Sequence, residues 1–296
     1  MFAPGRRSKQ RFAAIGDLPL ESGQVVRHCR IGYRTFGTLD AAGGNAVLLL
    51  PWFMGRSAAL ARHIGPGRLV DCSRYYVVAV DGLGAGVSSS PSNSATQPGS
   101  VFPIYTVRDM VDAERRLAAH LGLRRLHAVV GTSLGGMQVF EWLTAYPDAV
   151  DKGVAIAGSP RLLEAERVRW REQAQSVAAR PRWRRVAEAT ARVAPLAAWR
   201  ALGENPIDCA YQAECIASTD VTAAHGGSLA KAAARVRARA LVVISPTDQA
   251  VNPGPAAEFA HLAHASLLQL EGRGGHDAPS HEKDRLWPAV DRFLAG

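Results

Sequence analysis

Residues 129–137 read Val-Val-Gly-Thr-Ser-Leu-Gly-Gly-Met. An apolar run, Leu126 to Val130, ends at Gly131. A helical pattern begins by Met137 and places Val139, Phe140, Leu143 and Tyr146 on one side before Pro147 stops it. Strand, Gly131-Thr132-Ser133-Leu134-Gly135, helix is the order that a nucleophile elbow needs. A serine on so sharp a turn is lifted clear of its neighbours. Glycines two residues to either side let the chain turn and let other backbone pack close. The helix N-terminus beside it favours developing negative charge. Ser133 is therefore the candidate covalent catalyst. The bland alternative, a Gly-rich turn after a buried strand, does not require the partners sought next.

On such a scaffold the partners follow in the order acid, then histidine. Leu241-Val242-Val243-Ile244-Ser245 reads as a short β-branched strand, and Pro246-Thr247-Asp248 follows it. A helix-like stretch covers 255–264. A further strand, Ser266 to Leu270, leads into Gly272-Arg273-Gly274-Gly275-His276. Both Asp248 and His276 thus fall in loops after strands, where open α/β sheets place working residues. In these roles His276 takes the proton from Ser133 and returns one to a leaving group, and Asp248 orients and stabilises the imidazolium.

Rival residues fit less well. His28 and His127 lie inside strands, His120 ends a helix, His261 and His264 sit on the helix after Asp248, and His281 opens the last helix. Asp208 and Asp220 follow no clear strand. For the oxyanion, one backbone N–H is expected from Leu134 and the other from the loop Pro51-Trp52-Phe53-Met54-Gly55 after the strand Asn45 to Leu50. Phe53 N–H takes that place, with Trp52 and Met54 as neighbours in register. Trp52 and Phe53 can serve equally as packed aromatics.

Asp81-Gly82-Leu83-Gly84-Ala85-Gly86 follows the strand Tyr75 to Val80 and imitates a dinucleotide fingerprint. Its spacing is G-x-G-x-G, and the Ser/Pro/Asn-rich residues after it cannot open a helix. It reads as a wide surface loop near the active site. No Walker motif and no His/Cys zinc spacing is present, so no metal and no bound cofactor is expected.

The chain has 296 residues, 47% of them hydrophobic, enough for one large α/β domain. Cys29, Cys72, Cys209 and Cys215 have no framework spacing and read as buried thiols of a reducing compartment, although Cys209 and Cys215 could pair. Arg6, Arg7, Lys9 and Arg11 precede no apolar signal-peptide core, and no apolar run reaches membrane-spanning length. These features predict a cytoplasmic protein with no membrane partner. Net charge is +9, and residues 161–239 carry 14 Arg and Lys against 8 Asp and Glu. The densest run, Arg180 to Arg185, reads as a solvated helix face. No nucleic-acid motif accompanies it, so no nucleic-acid partner is expected.

Strand and helix patterns alternate from about residue 25 to 157 and again from 240 to 296. They include a helix from Thr106 to Leu121, with Thr106 and Asp109 as a capping-box-like start, and a last helix from His281 to Leu294. The alternation predicts a mostly parallel sheet covered on both faces. Residues 160–239 are rich in Ala, Arg and Glu and lack a convincing strand. The organisation is thus a core of 1–159 and 240–296 with a helical cap, 160–239, roofing the serine.

With these residues placed, the chain resembles the homoserine O-acetyltransferase family of α/β-hydrolases. The stretches that carry the resemblance are 16–23 through 33–39, Ile64-Gly65-Pro66-Gly67, Tyr76-Val77-Val78, Thr106-Val107-Arg108-Asp109-Met110-Val111, Gly131 to Gln138, and Gly275-His276-Asp277-Ala278. Together they span about residues 15–160 and 240–285. The resemblance implies an α/β-hydrolase fold: a mostly parallel eight-stranded sheet, helices on both faces and a short helical cap. It implies the triad Ser133, Asp248 and His276, puts Phe53 in the oxyanion loop, and aligns Asp277 with the residue that contacts the homoserine amine. Two copies could pair through the cap.

The cap departs from the family. Family transferases have a longer lid that forms a tunnel for acyl-CoA and the acceptor. Their first lid helix carries an Asn-Glu-x-x-Arg-Gln-type segment whose arginine holds the acceptor carboxylate. Here Gln175 aligns with that glutamine and Ala174 with the arginine, while Arg169 and Arg171 lie on other helical faces. A transferase must exclude water, whereas a hydrolase need only admit it. The expectation is a Ser133-dependent hydrolase of small esters or related acyl compounds, with Trp52 and Asp277 as substrate contacts. The alternative is O-acetyl transfer to homoserine or another alcohol, with acetyl-CoA as co-substrate. A non-catalytic binding module is the third reading, and the ordered triad argues against it.

Overall fold

The computed structural model describes residues 8–178 and 204–296. Its centre is one eight-stranded sheet in the order β1-β2-β4-β3-β5-β6-β7-β8. The strands are β1 Arg11–Pro19, β2 Val25–Phe36, β3 Ala46–Leu50, β4 Tyr76–Val80, β5 Leu126–Thr132, β6 Val150–Ile156, β7 Arg239–Ile244 and β8 Ser266–Gln269. β1 and β2 form an antiparallel edge, β2 joins β4 antiparallel, and β3 to β8 run parallel. The expected architecture is present, and the expected strands are found to within two residues at their ends.

The helices are α1 Ser57–Leu60, α2 Val107–His120, α3 Leu134–Ala145, α4 Glu164–Ala178, α5 Pro206–Ala217, α6 Leu229–Ala233, α7 Gly254–Leu262, α8 Ala278–His281 and α9 Lys283–Ala295. Alternate residues of the central strands feed two separate cores, as a period of two requires. Leu48, Leu50, Val78, Val80 and Val129 join α2, α3, α5 and α7 on one face. Val47, Leu49, Val77, Ala79 and Val130 join α1 and α9 on the other. Strands so covered read as continuous apolar runs, and every residue of β3 is buried. Thr106 caps α2 with the full capping box: its side chain accepts from Asp109 N, and Asp109 Oδ2 accepts from Thr106 N. His281 closes α8 instead of opening the last helix.

Between β6 and β7 the regular elements among the described residues are helices joined by loops, and the only β pairing is an isolated bridge, Arg161 to Asp220. Arg180 to Arg185 lie outside the described residues. All four cysteines are free thiols, including Cys209 and Cys215 on α5.

One expectation is corrected. The Gly-rich run after β4 is not a wide surface loop but a buried one. Asp81, Leu83, Ala85, Ser88 and Ser90 are all at most 2% exposed. Asp81 explains this: its carboxylate accepts from Ser57 N at 2.7 Å, Ser57 Oγ at 2.9 Å and Gln10 Nε2 at 2.6 Å. A buried carboxylate stays where its donors are. Gly84 is required by packing, since a Cβ there would lie 1.7 Å from the Tyr105 hydroxyl.

Glu114 on α2 is buried between helices. Its Oε2 accepts from Trp142 Nε1 at 2.8 Å, and its Oε1 has no hydrogen-bond partner. Burial, opposed only by the Trp142 bond, pushes its carboxyl from 4.5 up to about 8. The folded protein therefore holds this proton after the unfolded chain has released it. Stability falls as pH rises from 4.5 towards 8, then levels. Glu114→Gln keeps an acceptor for Trp142 and cannot ionise. We expect it to raise the melting temperature at pH 8, by about 2–4 °C per kcal/mol recovered, with the gain shrinking towards pH 5. Thermal melts at both pH values check this; an equal shift at both would show that Glu114 titrates normally.

Candidate active site

Strand register builds the site. Leu50, the last residue of β3, pairs with Gly131 of β5. The chains leaving these two neighbours, towards Pro51 and towards Ser133, therefore emerge side by side at the carboxyl edge of the sheet. This is also where the strand order reverses, the place at which open α/β sheets bind ligands.

The elbow's glycines are set by distance. A Cβ on Gly131 would lie 2.2 Å from Gly135 O, and one on Gly135 would lie 2.6 Å from Leu50 O. Gly136 packs against the end of β6 and the residues after it, where a Cβ would lie 2.8 Å from Ile156 O and 3.1 Å from Gly158 Cα. Between them Ser133 holds φ 57° and ψ −116°. A non-glycine residue there costs about 1–3 kcal/mol and persists only where its surroundings fix it. Here Ser133 N donates to Ile156 O at 2.8 Å, and Met137 N to Ser133 O at 3.0 Å.

The three residues chosen for the triad meet. Ser133 Oγ lies 2.8 Å from His276 Nε2, and His276 Nδ1 lies 2.7 Å from Asp248 Oδ2. Asp248 is 8% exposed, and its Oδ1 accepts from Ala250 N at 2.8 Å and Val251 N at 3.0 Å. One carboxylate oxygen is thus held by backbone, and only the other faces the histidine. Nδ1 then carries its proton towards Asp248, which leaves the Nε2 lone pair facing the serine hydroxyl. Thr247, which sequence reading passed over, ties the two loops: its hydroxyl donates to Gly272 O and accepts from Gly275 N, each at 3.3 Å.

The rivals fall elsewhere. Asp208 accepts from Ser92 N at 2.9 Å, and Asp220 accepts from Thr222 N at 2.9 Å. His127 stacks on Tyr75, with ring centroids 5.0 Å apart, and its Nε2 lies 2.9 Å from Leu294 O.

Leu134 opens α3, and a first-turn N–H has no carbonyl within its own helix to bond. In the loop after β3, Met54 stands at φ 55°, and its N–H donates to Gln212 Oε1 of α5 at 2.7 Å. That removes Met54 from the three possible oxyanion donors. Phe53 carries its ring against Trp170 of α4, centroids 5.5 Å apart. Trp52 turns its ring to His63 at 5.9 Å, with the Arg62 guanidinium 5.6 Å from its centroid. Asp277 is exposed beside His276. Neither Trp52 nor Asp277 has a hydrogen bond or ring contact with a triad side chain among the described residues.

On α4, Ala174 is buried and Gln175 exposed. Ala174 lies one turn beyond Trp170, so the position aligned with the family's arginine faces inwards and carries only a methyl group. Arg171 is directed to Glu214 at 3.9 Å. Sequence reading also missed Glu166 of α4. Its Oε1 accepts from Asn252 N at 2.6 Å in the loop that bears Asp248, and its Oε2 accepts from Leu163 N at 2.8 Å.

Residues 43–185 match the family described as alpha/beta hydrolase fold. The chain carries the α/β-hydrolase fold. Its resemblance to homoserine O-acetyltransferases is borne out: it is 37% identical over 162 residues to the homoserine O-acetyltransferase of Methanococcoides burtonii, which covers 49% of this chain and 33% of that protein. The chain thus matches less than half the length of that relative. A probable esterase of Corynebacterium glutamicum is 28% identical over 326 residues, covering 95% of this chain and 93% of the relative. Among solved structures, an acetylester hydrolase from Corynebacterium glutamicum superposes with a TM-score of 0.83 at 26% identity, covering 97% of this chain and 95% of that one.

The close contact at Gly135 gives a prediction of sign. Gly→Ala inside a helix ordinarily stabilises by about 1 kcal/mol. Here the added methyl meets backbone of β3, so Gly135→Ala is expected to cost about 1–3 kcal/mol in urea unfolding. A more stable Gly135→Ala variant would mean that the elbow has room to spare.

Proposed function

We propose that this protein is a serine-dependent acyl-transfer enzyme whose main reaction is hydrolysis of small esters or related acyl compounds. The observation that carries the reading is the unbroken chain of hydrogen bonds from Ser133 through His276 to Asp248. Ser133 Oγ attacks the acyl carbonyl while His276 Nε2 accepts the hydroxyl proton. The Leu134 and Phe53 N–H groups stabilise the oxyanion. His276 then protonates the departing alcohol. Water enters, gives a proton to His276 and attacks the acyl-enzyme, and the acid leaves as Ser133 recovers its proton. The Asp248 carboxylate balances the imidazolium in both halves. The reaction calls for no metal or bound cofactor.

Two features support water as the acceptor. Ala174 occupies the inward position at which an amino-acid carboxylate would need a cation, and the esterase relative matches along nearly the whole chain. The second reading is O-acetyl transfer from acetyl-CoA to homoserine or another alcohol. Its support is the higher identity to transferases, 37% over about half of the chain. Under either reading the partner is a small acyl compound, with Asp277 and the Trp52 loop beside it, and two copies could pair. The cytoplasm is the proposed location; no helix among the described residues is long and apolar enough to cross a membrane.

A paired assay separates the two readings. Release of p-nitrophenol from acetate and butyrate esters is followed beside CoA release from acetyl-CoA with and without homoserine. Ester turnover without acceptor-dependent CoA release is expected; CoA release that requires homoserine would establish the transferase instead. A fluorophosphonate should label the wild type and not Ser133→Ala. Labelling of neither would leave a non-catalytic module.

Within the triad, Asp248→Asn should lower kcat by about 10⁴-fold, because an amide facing Nδ1 favours the wrong tautomer. His276→Ala should slow acylation by several orders of magnitude. Near wild-type ester turnover in either variant would remove that residue from the mechanism.

A further inference from the structure

We propose that Gln212, on α5, is a positioning residue for the oxyanion loop: its side-chain amide tethers the strained turn that carries the Phe53 N–H and so holds that loop in place. The proposal rests on the acyl-enzyme reading above and adds to it a residue from outside the triad and outside the core sheet.

The loop after β3 closes a four-residue turn in which Gly55 N donates to Trp52 O at 2.8 Å. Phe53 and Met54 are its central residues. A positive φ at the second of them marks the type II form, which is normally filled by Gly or Asn. Met54 stands there at φ 55° with a full side chain and has no intrinsic reason to prefer it. Rotation of the Phe53–Met54 peptide plane would give the commoner type I turn and relieve Met54. What opposes that rotation is the donation from Met54 N to Gln212 Oε1, at 2.7 Å and fully buried. After a flip, the Phe53 carbonyl would face the Gln212 carbonyl, two acceptors with no proton between them, so the loop would have to draw away from α5 and carry the Phe53 N–H with it.

The amide is itself held in one sense. Gln212 is 1% exposed, and its Nε2 donates to Leu83 O at 3.0 Å in the buried loop after β4. A backbone N–H on one side and a backbone carbonyl on the other fix which end is oxygen. The same loop is held again by the neighbouring turn of α5, where Asp208 accepts from Ser92 N at 2.9 Å and from the Ser92 hydroxyl. Among the described residues Ser92 has no hydrogen bond to the oxyanion loop, so the two tethers of one helix can be cut separately.

The experiment compares Gln212→Leu, Gln212→Glu and Ser92→Ala with the wild type. Turnover of p-nitrophenyl acetate is measured alongside affinity for an alkylboronic acid, which forms a tetrahedral adduct on a reactive serine. Gln212→Leu should lose about 10–100-fold in kcat with KM nearly unchanged, short of the 10²–10³-fold that follows loss of an oxyanion donor itself. Boronate affinity should fall by a similar factor. Gln212→Glu, kept protonated by its burial, accepts from Met54 N with one oxygen and donates to Leu83 O with the other, and should recover most of both. Ser92→Ala should lower the melting temperature and leave kcat and boronate affinity alone. Unchanged kcat and boronate affinity in Gln212→Leu, or equal losses in the Leu and Glu variants, would overturn the proposal while leaving the acyl-enzyme reading intact. A wild type that forms no boronate adduct and takes no fluorophosphonate would overturn both.

Discussion

The site depends on how closely two backbones approach. The carbonyl ends of β3 and β5 and the first turn of α3 meet with no space for a methyl group between them. That contact puts Ser133 and the loop after β3, the proposed nucleophile and oxyanion loop, next to each other, because each leaves the sheet from one member of the pair Leu50–Gly131. It also accounts for the unfavourable backbone of Ser133, which neighbouring carbonyl and amide groups hold in place. The acid and the histidine come from more distant strands, β7 and β8. They need their own fastening, supplied by Thr247 and by the two backbone donors to Asp248 Oδ1.

The segment between β6 and β7 also reaches into the core. Two buried polar side chains reach from it into the working loops: Glu166 into the acid loop and Gln212 into the oxyanion loop. Each satisfies backbone N–H groups that the core leaves unpaired. A buried polar group that loses its only partner costs more than the bond was worth when made, so these contacts act as fixed points.

The sequence made the core and triad legible for a physical reason. β3, β5 and β7 are buried on both faces over most of their length and read as largely apolar runs. Ser133, Asp248 and His276 each follow a strand, so chain order alone ranks them above their rivals. Glycine spacing at 131 and 135 carried the elbow because close backbone approach excludes every other side chain. Gln212 left no such mark: it bonds a residue 158 positions away, and one glutamine on an apolar helix resembles any other. The loop after β4 misled for a related reason. Its Gly/Ser/Pro/Asn composition is that of a surface turn, and its burial depends on Asp81 meeting Ser57 and Gln10, which only the folded chain brings together. Met54 was hidden as well, since positive φ is expected of glycine and its support comes from another helix.

The two fixed points divide the segment between β6 and β7 into parts with different freedom to vary. Glu166 and Gln212 are bound to the loops after β7 and β3, and a replacement segment lacking them would arrive with those loops unset, however well it packed. Positions such as Ala174, which face inwards and anchor nothing, can change without that penalty. A lineage or an engineer altering acceptor preference therefore has a short route open, through single inward substitutions between the anchors. Exchange of the whole segment demands that both anchors be rebuilt at once.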